Sequence, residues 1–222
     1  MNSKPSQSPT APSTVISHRG ELNQSHLSRI KETLEKALTE HPRTLAIRVD
    51  LRMPSVSACH LERDSPVFFT NSKEELISRF FASLKAQLNH DQSKRIKAGV
   101  RVHKCTLRSI WARERSENHK EHYHVMLFLN KDTYRFIGSY KNESNVLVNM
   151  VRKAWNSALG LDADNRNHLV HIPQNPFYQM NRNDLVNHLQ EYQEVYYRAS
   201  YLAKVESKDR SDGRRCFGCS QK

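Results

Sequence analysis

A chain of 222 residues with 37% hydrophobic and 26% charged residues holds enough apolar side chains for one ample core, which excludes a wholly disordered protein. Its formal net charge of +12 points to a polyanionic partner, because each phosphate neutralised by Lys or Arg releases condensed counterions. No apolar run is long enough to span a membrane, no signal-peptide pattern opens the chain, and the basic residues are not gathered on one amphipathic helix, so the expected setting is the cytoplasm and the expected partner is nucleic acid.

Residues 1–20, rich in Ser, Pro and Thr, lack the apolar content to offset the entropy of ordering and are expected to be a disordered tail. Leu27, Ile30, Leu34 and Leu38 recur at intervals of three and four, predicting an amphipathic helix over about 25–40 that stops before Pro42, within an N-terminal extension over 21–42. Residues 44–52 alternate as a strand, with Arg48, Asp50 and Arg52 on one face. That polar face is either the solvated side of an edge strand or a face turned toward metal or DNA.

After a loop with Pro54 and Pro66, Ser72 and Glu75 stand at capping-box spacing before a stripe of Leu76, Ile77, Phe80, Phe81, Leu84 and Leu88, which predicts a helix. Residues 100–113 read as a second strand, and the polar run 115–120 as the turn that brings the chain back antiparallel into residues 122–130. In that returning strand His122 and His124 share one face, while the apolar residues from 125 onward occupy both faces, as in the middle of a sheet. A helix over 146–159 closed by Gly160, a short strand near 168–172 and a last helix from Asn183 or Asp184 to about Glu206 complete the predicted order. The charged stretch 207–222 is expected to be a mobile basic tail.

This order implies an α+β fold, a ferredoxin-like or RNA-recognition-motif-like mainly antiparallel sheet with helices on one face and the site on the open face. Cys59, Cys105, Cys216 and Cys219 are too few and too scattered for a disulfide framework, so they are expected as thiols. Cys216 and Cys219 form a CxxC without a second pair to complete a zinc site.

His122 and His124 can grip one metal, with Glu114 as third ligand across the hairpin or Asp50 as its substitute. Two nitrogens and one oxygen with open positions suit Mg²⁺ or Mn²⁺, or another divalent ion, as a Lewis acid. On the last helix, Tyr197, Tyr201 and Lys204 fall on one face at 100° per residue, apart from Leu185, Leu189, Tyr196 and Ala203. A tyrosine is a poor nucleophile unless a cation holds it and a metal neutralises the phosphate, and these two groups together supply both.

With His122-Tyr123-His124, then Tyr197 and Tyr201 with Lys204, in this order, the sequence resembles the HUH endonuclease superfamily, specifically rolling-circle replication initiators of filamentous-phage and prophage type. The run Trp111-Ala112-Arg113-Glu114 and the run Leu129-Asn130-Lys131-Asp132 extend the likeness over about residues 43–206, the expected catalytic domain. The resemblance implies nicking and rejoining of a single-stranded DNA origin through a 5′-phosphotyrosine, with host helicase and polymerase as partners. Arg48, Arg52, Arg113 and Arg198 are the arginines expected beside the DNA. Two other readings stay open: a nucleic-acid-binding module without catalysis, and a metal-dependent nuclease that uses water.

Overall fold

The structure is a computed structural model that describes residues 20–54, 75–115, 121–134, 146–161, 167–206, 208 and 212–221. The expected N-terminal tail apart from Gly20, the Ser72 half of the capping box and the turn over 116–120 lie outside these residues. In chain order the elements are α1 (Gln24–Glu40), β1 (Arg43–Arg52), α2 (Leu76–Lys97), β2 (Arg108–Arg115), β3 (Glu121–Asn130), α3 (Val146–Leu159), β4 (Val170–His171), β5 (Phe177–Asn181), α4 (His188–Ser200) and β6 (Phe217–Cys219). The strands form one sheet in the order β4-β1-β3-β2-β6, with β5 pairing the same side of β1 as β4, and all these pairings are antiparallel. The predicted α+β class with a mainly antiparallel sheet is the one observed.

Alternation sorts the strands into two faces. Leu45, Ile47, Val49 and Leu51 of β1 and Tyr123, Val125, Leu127 and Leu129 of β3 pack with Phe80, Leu84 and Trp155 of α2 and α3. Trp155 closes this layer, meeting Phe80 and Tyr123 edge-on, while its indole N–H donates to Arg52 O at 2.9 Å, so the polar atom of a buried ring is satisfied. On the reverse face Ala46, Ile110, Ala112, Met126 and Phe128 pack with Ile30 and Leu34 of α1 and Val195 and Ala199 of α4. This face is therefore open only in part, since two helices cover its apolar half. Toward His122 the same face turns polar, and there the site lies. The helix α1, expected as an extension, is part of the core.

Four local expectations are corrected. The strand predicted over 100–113 begins at Arg108, where its pairing with β3 starts at the Arg108–Phe128 pair. Residues before it are tied by side chains instead: Thr106 N donates to His41 Nε2 at 3.0 Å, and Asn130 Nδ2 to Lys104 O at 2.9 Å. The strand β5, which follows Pro173 and Pro176, was not anticipated. The last α-helix ends at Ser200, and Tyr201–Ala203 form a 3₁₀ turn, because Lys204 is extended and bridges Leu22. Its start is also later than expected: Asp184 caps a preceding turn, accepting from the Val186 and Asn187 amides at 3.0 Å each, so Leu185 is 97% exposed and Leu189 is exposed as well.

The fourth correction concerns the stretch expected as a mobile tail. Its residues Phe217–Cys219 form β6 on the open edge of β2, with Ile110 opposite Cys219 and Ala112 opposite Phe217. Gly218 is required there, since a Cβ would come within 2.6 Å of the Trp111 indole. No helix among the described residues is long and apolar enough to cross a membrane.

Candidate metal centre

Register assembles the centre from neighbouring strands. Glu114 on β2 stands opposite His122 on β3, and Asp50 on β1 stands opposite His124, with His171 of β4 on the far side of Asp50. The strand β1 is flanked on both sides, so its polar residues do not form the solvated side of an edge. Arg48 and Asp50 instead face the histidines, an outcome the sequence left open.

Glu114, His122 and His124 each offer a ligand atom, all within 4.8 Å of one another. His124 Nε2 is 3.2 Å from His122 Nε2 and 3.2 Å from Glu114 Oε2. Ligands at about 2.1 Å from one ion lie roughly 3.0–3.4 Å apart for octahedral to tetrahedral angles, so these donors fit a single divalent cation. Asp50 lies on the other side of the His124 ring: its Oδ1 is 2.6 Å from His124 Nδ1 and accepts that N–H, which leaves Nε2 to face Glu114 and His122. The other oxygen of Asp50 is 3.3 Å from His171 Nδ1, and Arg48 Nε donates to Oδ1 at 3.1 Å.

These contacts set the protonation of the centre. Burial, the largest influence, pushes the Asp50 carboxyl up, but the His124 hydrogen bond and the Arg48 charge outweigh it and hold the group well below the usual carboxylate range. Burial pushes His124 down, and its bonds to Asp50 and Glu114 outweigh that, raising it above the ordinary imidazole value.

The Tyr201 ring lies edge-on to His124 with centroids 5.5 Å apart, and the Arg48 guanidinium carbon sits 5.4 Å from the Tyr201 centroid. Arg48, expected to meet DNA, is 5% exposed and works inside the centre. Tyr197 points elsewhere, into a cleft beside β5 with Arg198. Lys204 does not join the cluster: its ammonium pairs with Glu206 at 3.2 Å. The ammonium beside Glu114 belongs to Lys208, buried, 3.6 Å from Glu114 Oε1 and donating to Lys204 O at 2.6 Å. Sequence reasoning assigned Lys208 to the tail and passed over His171; a partner for Asp50 across an edge strand was the one signal for the latter.

Of the remaining arginines, Arg52 is exposed at the end of β1. Arg113 projects to the opposite face, is 3% exposed, and grips Asp212 with both terminal nitrogens at 2.7 and 2.8 Å. Arg214 pairs with Glu121 and Asp212 in the same network. Arg113 is thus held in an ion-pair network with Asp212 and Glu121 on the face opposite the histidines. Cys216 and Cys219 are thiols, and among the described residues no metal-ligating group of three includes them.

Comparison with known proteins extends the same boundaries. The family model of the YagK/YfjJ C-terminal domain matches residues 7–220. Two Escherichia coli K12 proteins are similar: uncharacterized protein YagK, 40% identical over 87% of this chain and 91% of its own length, and uncharacterized protein YfjJ, 38% identical over 89% and 96%. No solved structure matches. The matched region takes in both α1 and β6, which the fold joins to the core.

Proposed function

This chain belongs to the YagK/YfjJ C-terminal domain family, and we propose that it nicks and rejoins single-stranded DNA through a phosphotyrosine intermediate, as HUH replication initiators of phage and prophage type do. The observation that carries this reading is the Tyr201 ring against His124, which sets a phenol beside a donor cluster fit for a divalent cation. A net charge of +12 supports a DNA partner.

In this reading Tyr201 Oη attacks the scissile phosphorus, the phenolic proton passes to water, and the bond from phosphorus to the 3′ oxygen breaks. The electron pair leaves with that oxygen, which takes up a proton, and the 5′ phosphate remains on Tyr201. Attack by the 3′ hydroxyl reverses the step, so rejoining needs no energy source. A bound Mg²⁺ or Mn²⁺ would neutralise charge on the phosphate oxygens. The protein's own part is to hold that ion through Glu114, His122 and His124, to orient His124 through Asp50, and to hold the Tyr201 ring through Arg48.

The test is a denaturing gel of protein incubated with single-stranded origin DNA and Mn²⁺. A covalent band is expected for the wild type and none for Tyr201→Phe. Cleavage without a covalent band would replace this reading with water-based hydrolysis, and binding without cleavage would replace it with a non-catalytic DNA-binding module.

A further inference from the structure

Tyr197 and Tyr201 are four residues apart, yet their rings meet different surroundings. Tyr201 packs on His124 and Arg48. Tyr197 is 36% exposed and lines, with Asn175, Phe177, Tyr178, Gln179 and Arg198, a cleft of about 600 Å³ between β5 and α4. We propose that this cleft takes an unpaired base of the DNA strand whose neighbouring phosphate lies at the metal centre, and that Tyr197 stacks on that base instead of serving as a second nucleophile. The inference rests on the DNA reading above and names a subsite for it.

Several observations converge on a base. The helix α4 buries its other tyrosines, Tyr192 and Tyr196, and leaves the Tyr197 ring open to solvent at the cleft. An open aromatic ring is a platform for any base, because every base has a π face. Arg198 brings a cation to the cleft, and its buried Nε has no hydrogen-bond partner among the described residues. Asn175 and Gln179 add amides that can both donate to and accept from a base edge.

Charge separates a base from a backbone. Glu194 also borders the cleft, where its carboxylate accepts from Gln190 Nε2 at 3.2 Å. A carboxylate there repels a phosphate but accepts from an exocyclic amine. The phosphate belongs instead at the cation cluster.

The cleft and the centre share a wall. The Arg48 amide donates to Pro176 O at 2.8 Å, so the segment that forms the cleft floor is bonded to the strand that carries Arg48 and Asp50. Along the helix, four residues at 1.5 Å each separate Tyr197 from Tyr201 by roughly 6 Å, within reach of one nucleotide. A strand with its phosphate at Tyr201 can therefore lay the adjoining base on Tyr197.

The experiment uses the full chain and a fluorescently labelled mixed-sequence DNA 20-mer. Binding is read by anisotropy in EDTA at several salt concentrations, and covalent bands are read separately in Mn²⁺. Tyr197→Ala is expected to weaken binding by about 5- to 150-fold, the range for loss of one stacked base, with an unchanged salt slope because no phosphate contact is lost. Tyr197→Phe keeps the ring and is expected to restore affinity to within about twofold, and to form the covalent band that Tyr201→Phe lacks. Wild-type affinity in Tyr197→Ala, loss of the covalent band in Tyr197→Phe, or tighter binding of the matching RNA strand would each overturn the proposal. Should no variant form a covalent band while Tyr197→Ala still binds weakly, the base cleft stands and the strand-transfer reading falls.

Discussion

Asp50→Asn tests the centre at its least visible member. Asp50 Oδ1 accepts from His124 Nδ1 and Arg48 Nε, and Oδ2 faces His171. Asparagine keeps one acceptor oxygen, so the His124 ring can stay in place, but the negative charge that makes the imidazole a better ligand is gone. Losing the carboxylate behind a ligating histidine lowers metal affinity about 10- to 100-fold, which is about 1.4–2.7 kcal/mol at 1.36 kcal/mol per tenfold. The change also leaves Arg48 buried without its counter-ion, and breaking such a pair costs about 3–5 kcal/mol of folding stability. Because the stability effect exceeds the binding effect, the measurement needs a companion variant, Arg48→Met with Asp50→Asn, which removes the stranded charge. Titration calorimetry with Mn²⁺ at pH 7.5 is expected to show one site in every variant, weakened 10- to 100-fold where Asp50 is changed. A folded Asp50→Asn protein that binds Mn²⁺ as tightly as the wild type would refute the assigned role of Asp50.

In the same titration, His122→Ala and Glu114→Ala are each expected to abolish measurable Mn²⁺ binding; full-strength binding in either would remove that residue from the ligand set. Asp212→Asn is expected to cost about 1–2 kcal/mol near neutral pH, since Arg113 loses its two-pronged partner but keeps Glu121 at 3.4 Å and the Arg214 carbonyl at 3.1 Å. Acid should have a related effect. The Arg113 hydrogen bond holds the Asp212 carboxyl below its usual range, while burial raises Glu121 and the Arg214 bond outweighs that, so both groups are lowered on folding. Their stabilisation is complete above the ordinary carboxylate range, about pH 4, and fades as pH falls through the lowered values. Urea midpoints from pH 7 down to pH 2 are therefore expected to fall less steeply for Asp212→Asn than for the wild type, and parallel curves would refute this. Trp155→Ala removes a fully buried ring that meets Phe80 and Tyr123 and is expected to cost about 3–5 kcal/mol in urea unfolding; a loss below about 1 kcal/mol would contradict the packing described.

Local pattern was enough to find much of this. The alternation that sets His122 and His124 on one face and Val125, Leu127 and Leu129 on the other is a property of a single strand, so it is readable without partners. The stripe of Leu76, Ile77, Phe80, Phe81, Leu84 and Leu88 is likewise local to one helix; five of the six are buried, and Phe81 is partly buried against the same core. Glu114 was reachable because a short hairpin fixes its register against His122. The prediction failed where an element's limit depends on distant contacts: residues before β2 are tied to the His41 and Asn130 side chains, and α4 ends where Lys204 bridges Leu22.

The sequence by itself determined the α+β class, the histidine pair with its carboxylate, and a tyrosine-bearing helix near the end. Only the tertiary structure decided that Asp50 bonds the far nitrogen of His124 instead of joining Glu114 and His122, that Lys208 and not Lys204 reaches Glu114, and that Tyr201 meets His124 while Tyr197 turns into a separate cleft. The physical reason is that these contacts join strands and turns distant in sequence, where register and loop closure govern which side chains meet. Periodicity within one element carries no information about that choice. Tyr197, Tyr201 and Lys204 do not share one helix face, because the backbone changes to a 3₁₀ turn at Tyr201 and is extended at Lys204.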